Sequence, residues 1–199
     1  TTMLDQWAGS PPTAAVMLQR AAMAQDRTAI ALLLRDWEVA SAEVLESHLT
    51  YPILCFFRSQ HDNQSWLAAM VAVLDACTLA IVGVEGIDPF QARLTFAIAR
   101  HALVDLSQSF QLAPQPAERL RMSPAGLGEL RSWLTNAGVR VRDGVEADRE
   151  LHALRDLYLP HAHQLSQVLL MPLPPQVPPP RARYNWKTTQ WGTVEDDAH

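Results

Sequence analysis

The stretch that most constrains the fold is residues 67–84, which are eighteen residues long and contain one charged side chain, Asp75. A segment of this length and apolarity either crosses a bilayer or forms a buried helix in a globular core. A carboxylate at the bilayer centre costs about 2.5 to 3.5 kcal/mol on insertion scales, and no basic flank or paired second span is evident. The segment is apolar nearly all round, so we predict a central core helix.

A carboxylate inside such a helix requires a partner, because an unpaired buried charge is strongly destabilising. The next predicted helix carries two cationic candidates, Arg100 and His101. We therefore predict that Asp75 pairs with Arg100 or His101.

The overall composition fits a globular chain that buries a large apolar core. Apolar residues make up 48% of the 199 residues and charged residues 19%, and the net charge is -5. Fifteen of the sixteen basic residues are arginine, but they are spread along the chain, so no nucleic-acid partner is expected. Cys55 and Cys77 lie in apolar surroundings and are expected to be reduced core thiols, although a disulfide between them stays open.

Helical periodicity and proline positions predict an all-α bundle of about six helices. The predicted segments are residues 12–25, 28–49, 64–82, 90–110, 123–136 and 146–171. Because proline removes a backbone donor and clashes with the preceding turn, Pro52 should end the second helix and Pro160 should kink or break the last one. Asp62, Asn63 or Ser65 can cap the third helix, and Asp88 the fourth.

The composition changes after Met171, where six prolines occur in residues 172–180. We predict a domain over residues 1–171 and an extended or disordered proline-rich tail over residues 172–199, outside the packed core. The tail carries Tyr184, Trp186 and Trp191. These aromatic residues either belong to a disordered tail or contact another subunit or the body of the domain.

A dense polar run, residues 58–65, separates Phe56 and Phe57 from Trp66. The bulky flanks are expected to hold this run close to the core. Its side chains either satisfy backbone groups at a capped corner or contact a ligand or subunit through charge and directional hydrogen bonds. The predicted contact residues are Tyr51, Arg58, Gln60, His61, Asn63, Gln64 and Trp66.

The remaining titratable residues do not form a catalytic or metal-binding pattern. His161 and His163 are two apart and do not share one helix face, and no Cys-x-x-Cys or Glu-x-x-His pattern supplies further ligands. His101 and Asp105 can pair at a spacing of four, but no motif places a nucleophile beside them. We therefore expect no cofactor, no metal and no enzymatic activity.

The sequence LESHLTYPILCFFRSQHDNQSWLAAMVAVLDAC at residues 45–77 resembles the cytosolic C-terminal region of a bacterial family of pore-loop, potassium channel-like proteins with two membrane helices. The sequence AGSPPTAA at residues 8–15 is similar to the segment that follows the second membrane helix in that family. The resemblance covers most of residues 8–171. It implies a domain on the cytoplasmic face of the bacterial inner membrane, with the pore domain of the same polypeptide and further copies of itself as partners.

Two functions stay open at this point. The first is a regulatory or assembly domain that acts through subunit or effector contacts and forms a homo-oligomer. The second is a stand-alone helical sensor or enzyme that binds a small molecule in a pocket near residues 58–66. A deep pocket at these residues would favour the second, and a flat exposed apolar face would favour assembly.

Overall fold

A computed structural model describes residues 8, 11–23, 28–57, 65–111 and 116–178. These residues form an all-α fold, with two short 3-10 helices at Pro52–Phe56 and Ala117–Leu120. The α-helices are α1 Ala14–Met23, α2 Ala29–Thr50, α3 Trp66–Gly83, α4 Pro89–Ser109, α5 Pro124–Asn136, α6 Val145–Asp156 and α7 Leu159–Leu169. Within the described residues the only β-type pairing is an isolated bridge between Val84 and Val141.

Helix α3 lies at the centre of the bundle, as its sequence predicts. It contacts α4 most extensively and also packs against α1, α6 and α7. Its length and its mean hydropathy of 2.0 would suffice to cross a membrane, yet 89% of it is buried inside the fold. The Ser65 side chain caps the first turn of α3 by accepting a hydrogen bond from Ala68 N. The helix ends at Gly83, whose φ of 132° is a backbone conformation that residues with a side chain rarely adopt. The prediction of a buried core helix is confirmed.

Helices α2 and α4 form the largest pairwise contact in the fold. The Thr95 hydroxyl of α4 donates to Leu34 O of α2 at 2.8 Å, inside the interface. The Gln91 amide donates to Glu38 Oε2 at 2.6 Å, near the edge of that interface. These two hydrogen bonds fix the register of α4 against α2. Asp88 caps the start of α4, as predicted.

Both prolines predicted to interrupt helices do so. Helix α2 ends at Thr50, and Pro52 opens the 3-10 helix Pro52–Phe56. Pro160 lies in the first turn of α7, where no helical hydrogen bond needs its missing N–H. The helix is interrupted at Leu157 and Tyr158, between α6 and α7. The predicted last helix is therefore two helices, which is why the described residues contain seven α-helices where the sequence predicts about six.

The first part of the proline-rich segment is packed against the bundle, so the prediction that it lies outside the core is wrong here. Met171 is buried, and Leu173 and Val177 contact the core. Leu173 and Val177 provide apolar surface that the bundle can bury, and this holds residues 172–178 against α3, α6 and α7. We call residues 172–178 the strap. The rest of the tail, with Tyr184, Trp186 and Trp191, lies outside the described residues, and its contact role stays a prediction.

Candidate functional site

An exposed apolar cluster occupies the turn that follows α2. Tyr51 exposes 63% of its surface, Ile53 64%, Phe56 49% and Phe57 64%. Three residues make one turn of a 3-10 helix, so Ile53 and Phe56 lie on the same side of it. We call these four residues the aromatic corner. Large apolar groups gathered at one exposed place mark an interaction surface more often than large apolar groups scattered singly.

Buried contacts hold the aromatic corner in place. The indole Nε1 of Trp66 donates to Cys55 O at 3.1 Å, and His48 packs edge-on against Trp66 with ring centroids 5.1 Å apart. Phe56 makes a perpendicular contact with Phe110 at 6.0 Å. The Cys55 thiol lies beneath the turn, where burial raises its pKa to about 11. The corner is thus a supported surface that presents its rings outward.

The described part of the predicted contact site divides into one exposed and one buried residue. Tyr51 is exposed, as a contact residue must be, and it belongs to the aromatic corner. Trp66 is only 8% exposed and supports the corner from below, so its predicted role as a direct contact is wrong. The other predicted contact residues lie outside the described residues: Arg58, Gln60, His61, Asn63 and Gln64.

A second cluster lies inside the bundle and joins α3 to α6 and α7. Asp75 Oδ1 accepts from Arg155 Nη1 at 2.6 Å and from the Tyr158 hydroxyl. Burial is the largest single influence on the pKa of Arg155 and lowers it, but the electrostatic effects of Asp75, Tyr158 and Asp156 together, with the hydrogen bond to Asp75, raise this pKa above its ordinary value. Burial, and then the negative charge of Asp75, raises the pKa of Tyr158, so the phenol stays protonated and donates. We call Asp75, Arg155 and Tyr158 the buried cluster.

The prediction that Asp75 has a charged partner is confirmed, but the predicted partners are wrong. The face of α3 that carries Asp75 is turned toward α6 and α7, whereas Arg100 and His101 lie on α4. The His101 ring is 57% exposed and pairs with Asp105 at 3.2 Å, as its spacing predicts. Arg100 instead influences His161: burial, and then the positive charge of the Arg100 guanidinium, lower the pKa of the His161 imidazole. Helical spacing identifies neighbours on one helix, but it does not tell which other helix faces Asp75.

Beside the buried cluster there is a cavity of about 130 Å³ between α3, α7 and the strap. Its walls combine polar and apolar groups, namely Val71, Asp75, Leu120, Arg155, Leu159, His163, Leu173, Pro174 and Gln176. Arg155 Nε and His163 Nδ1 are both buried and have no hydrogen-bond partner. Two residues that line this hollow, Arg155 and His163, therefore each carry a buried polar atom without a protein partner, which is unusual.

Two further observations concern metals and thiols. Among the described residues, no group of three or more His, Cys, Asp or Glu side chains is placed to hold a metal ion. Cys55 and Cys77 are both free and buried. Burial also raises the pKa of the Cys77 thiol, so both sulfurs are neutral side chains of the core.

Comparison with known proteins adds no relative, since no family model, no curated protein and no solved structure matches the chain.

Proposed function

We propose that this chain is a regulatory or assembly domain that associates with further copies of itself through the aromatic corner. The observation that carries the proposal is the exposure of Tyr51, Ile53, Phe56 and Phe57 at one supported turn. Aromatic residues are enriched at the centres of protein interfaces, where they supply much of the binding energy.

The chemistry of the corner favours assembly over a small-molecule pocket at the same place. The alternative pocket near residues 58–66 would use Arg58, His61 and Gln64, which lie outside the described residues. Of the described residues beside them, Tyr51 is exposed, and Trp66 is buried against Cys55 and His48. An exposed apolar face of this kind suits a second protein surface better than a small ligand.

The energy available from the corner is modest. Aromatic side chains bury about 150 to 250 Å² each, so covering the exposed apolar groups of two copies contributes on the order of 20 kcal/mol before polar desolvation and side-chain ordering are subtracted. Association itself costs about 4 to 15 kcal/mol in lost rotational and translational freedom. We therefore expect weak association of the isolated domain, which attachment to a common membrane assembly would strengthen by raising the effective concentration.

The resemblance of residues 45–77 to potassium channel-like proteins gives this association a setting. In that setting the domain lies on the cytoplasmic face of a bacterial inner membrane, next to the pore domain of the same polypeptide. Contacts between its copies would bias the pore only if they differ in free energy between the closed and open states.

The test is the solution mass of the chain by light scattering over a range of concentrations, compared with two variants. Tyr51→Ser combined with Phe57→Ser should give a monomer at concentrations where the unaltered chain is oligomeric. Val145→Ser removes an apolar side chain that is 87% exposed elsewhere and should leave the mass unchanged. A monomeric unaltered chain at every concentration, or an oligomer that survives the double substitution, would contradict the proposal.

A further inference from the structure

The cavity beside the buried cluster has the size of a small organic molecule. Its volume of about 130 Å³ is close to the roughly 150 Å³ of an apolar cavity that binds benzene. A molecule of about six non-hydrogen atoms therefore fits. The walls contributed by Val71, Leu120, Leu159 and Leu173 are apolar and would contact the apolar part of such a molecule.

The polar part of the cavity sets what that molecule must carry. The Arg155 side chain is only 7% exposed, and its Nε has no hydrogen-bond partner. An N–H group in this position calls for an acceptor oxygen. Gln176, which also lines the cavity, has an amide that can both accept and donate. His163 Nδ1 adds a third unpartnered polar atom.

The charge of the site favours a neutral molecule. The Arg155 guanidinium is already matched by the Asp75 carboxylate at 2.6 Å, and Tyr158 donates to the same carboxylate. An added anion would leave an unmatched negative charge beside the buried Asp75–Arg155 pair, and an added cation would leave an unmatched positive charge there. A carbonyl oxygen satisfies Arg155 Nε without adding charge.

We propose that this cavity is a binding site for a small neutral amide, with its carbonyl oxygen accepting from Arg155 Nε and its N–H donating to Gln176. The strap forms the outer wall through Leu173, Pro174 and Gln176. No backbone hydrogen bond joins residues 172–178 to another residue of the described part of the chain. The strap can therefore lift to admit the molecule without breaking a backbone ladder.

The probe is 2-pyrrolidone, a neutral amide of six non-hydrogen atoms, added to the full chain. The readout is the NMR resonance of the Arg155 Nε–H, which reports directly on the atom that lacks a partner. We expect a saturable shift of this resonance and slower exchange of its proton with water. Cyclopentane, which lacks the amide, and acetate, which carries charge, should bind at least about tenfold more weakly.

Two variants fill the cavity from the strap. Leu173→Trp should weaken the response to 2-pyrrolidone at least about tenfold, and Gln176→Trp, at an exposed position that tolerates substitution, should do the same if the first variant does not fold. Val168→Trp adds the same indole at an exposed position of α7 that does not line the cavity and is the matched control. No saturable shift would mean that the cavity holds water only and would overturn the proposal. Equal binding in the filled variants, or tighter binding of acetate, would overturn it as well.

Discussion

The buried cluster and the aromatic corner are opposite departures from the ordinary distribution of residues in a globular protein. Asp75, Arg155 and Tyr158 place two charges and a phenol inside the bundle, whereas the corner places three aromatic rings and an isoleucine in water. Within this cluster Arg155 Nη1 and the Tyr158 hydroxyl both donate to Asp75, whereas Arg155 Nε has no partner. The exposed rings of the corner are supported from below but remain largely uncovered. The difference separates what the chain needs to fold from what it offers to a partner.

This contrast predicts different consequences for substitutions in the two regions. A change in the buried cluster acts on the free energy of unfolding, because it leaves a buried charge or donor without its partner. A change at the corner acts on association and leaves the fold of the single chain nearly intact.

The largest effect is expected from Arg155→Leu, which leaves the Asp75 carboxylate buried without its cation. We expect the free energy of unfolding to fall by about 3 to 5 kcal/mol in urea denaturation. Combining it with Asp75→Leu should recover much of the loss, because the pair is then replaced by apolar groups. Arg149→Leu, which breaks an exposed ion pair with Glu146 on the same helix, is the control and should change stability little. A loss below about 1 kcal/mol for Arg155→Leu would show that the fold does not depend on the buried cluster.

A smaller effect is expected from Tyr158→Phe, which deletes the hydroxyl that donates to Asp75. Hydrogen bonds to charged groups contribute about 1.5 to 3 kcal/mol, and we expect a loss of that size in the same measurement. Tyr51→Phe makes the same chemical change on the exposed corner and should stay within about 0.5 kcal/mol of the unaltered chain. Equal losses for the two substitutions would show that the regions do not differ as described.

The smallest effect concerns pH and the support of the corner. Burial lowers the pKa of His48 below its ordinary value of 6.5, and a hydrogen bond to the Val44 backbone only partly offsets this. As pH falls, the unfolded chain therefore takes up the proton first. His48 contributes stability that is fully present above pH 6.5 and is lost as the pH falls below it toward the folded-state pKa.

The pH prediction is checked by thermal unfolding between pH 7.5 and pH 5. His48→Phe keeps a ring against Trp66 but cannot be protonated, so its stability should fall less steeply with acid than that of the unaltered chain. Burial lowers the pKa of His161 in the same direction, so some acid dependence should remain. An identical pH profile for the unaltered chain and His48→Phe would show that His48 contributes none of it.

Much of the fold follows from local patterns in the sequence. Residues 67–84 are apolar on every face, which predicts the central position of α3, and Pro52 and Pro160 lie where helices end or restart. Ser65 and Asp88 have the side chains that cap the following helices. These features depend on a residue and its near neighbours, so they can be inferred without knowing how helices pack.

The site was harder to predict because it depends on which surfaces meet. The partner of Asp75 lies eighty residues away on a helix whose rotation the sequence does not fix. The flanks of the polar run differ in burial, since the 3-10 turn leaves Phe56 and Phe57 exposed whereas Trp66 and Leu67 are buried. Most of the run itself, residues 58–64, lies outside the described residues. The packing of the strap could have been inferred from Leu173 and Val177, two apolar residues four apart, but the surrounding prolines favoured an extended tail.

The most direct test of the separation between fold and association is the midpoint of thermal unfolding measured against protein concentration. We expect a midpoint that rises with concentration for the unaltered chain, because association stabilises the folded state by mass action. For Tyr51→Ser combined with Phe57→Ser we expect no concentration dependence and the midpoint that the unaltered chain has at high dilution. A midpoint that is independent of concentration in the unaltered chain, or a variant that unfolds at lower temperature at every concentration, would contradict the separation of fold from association.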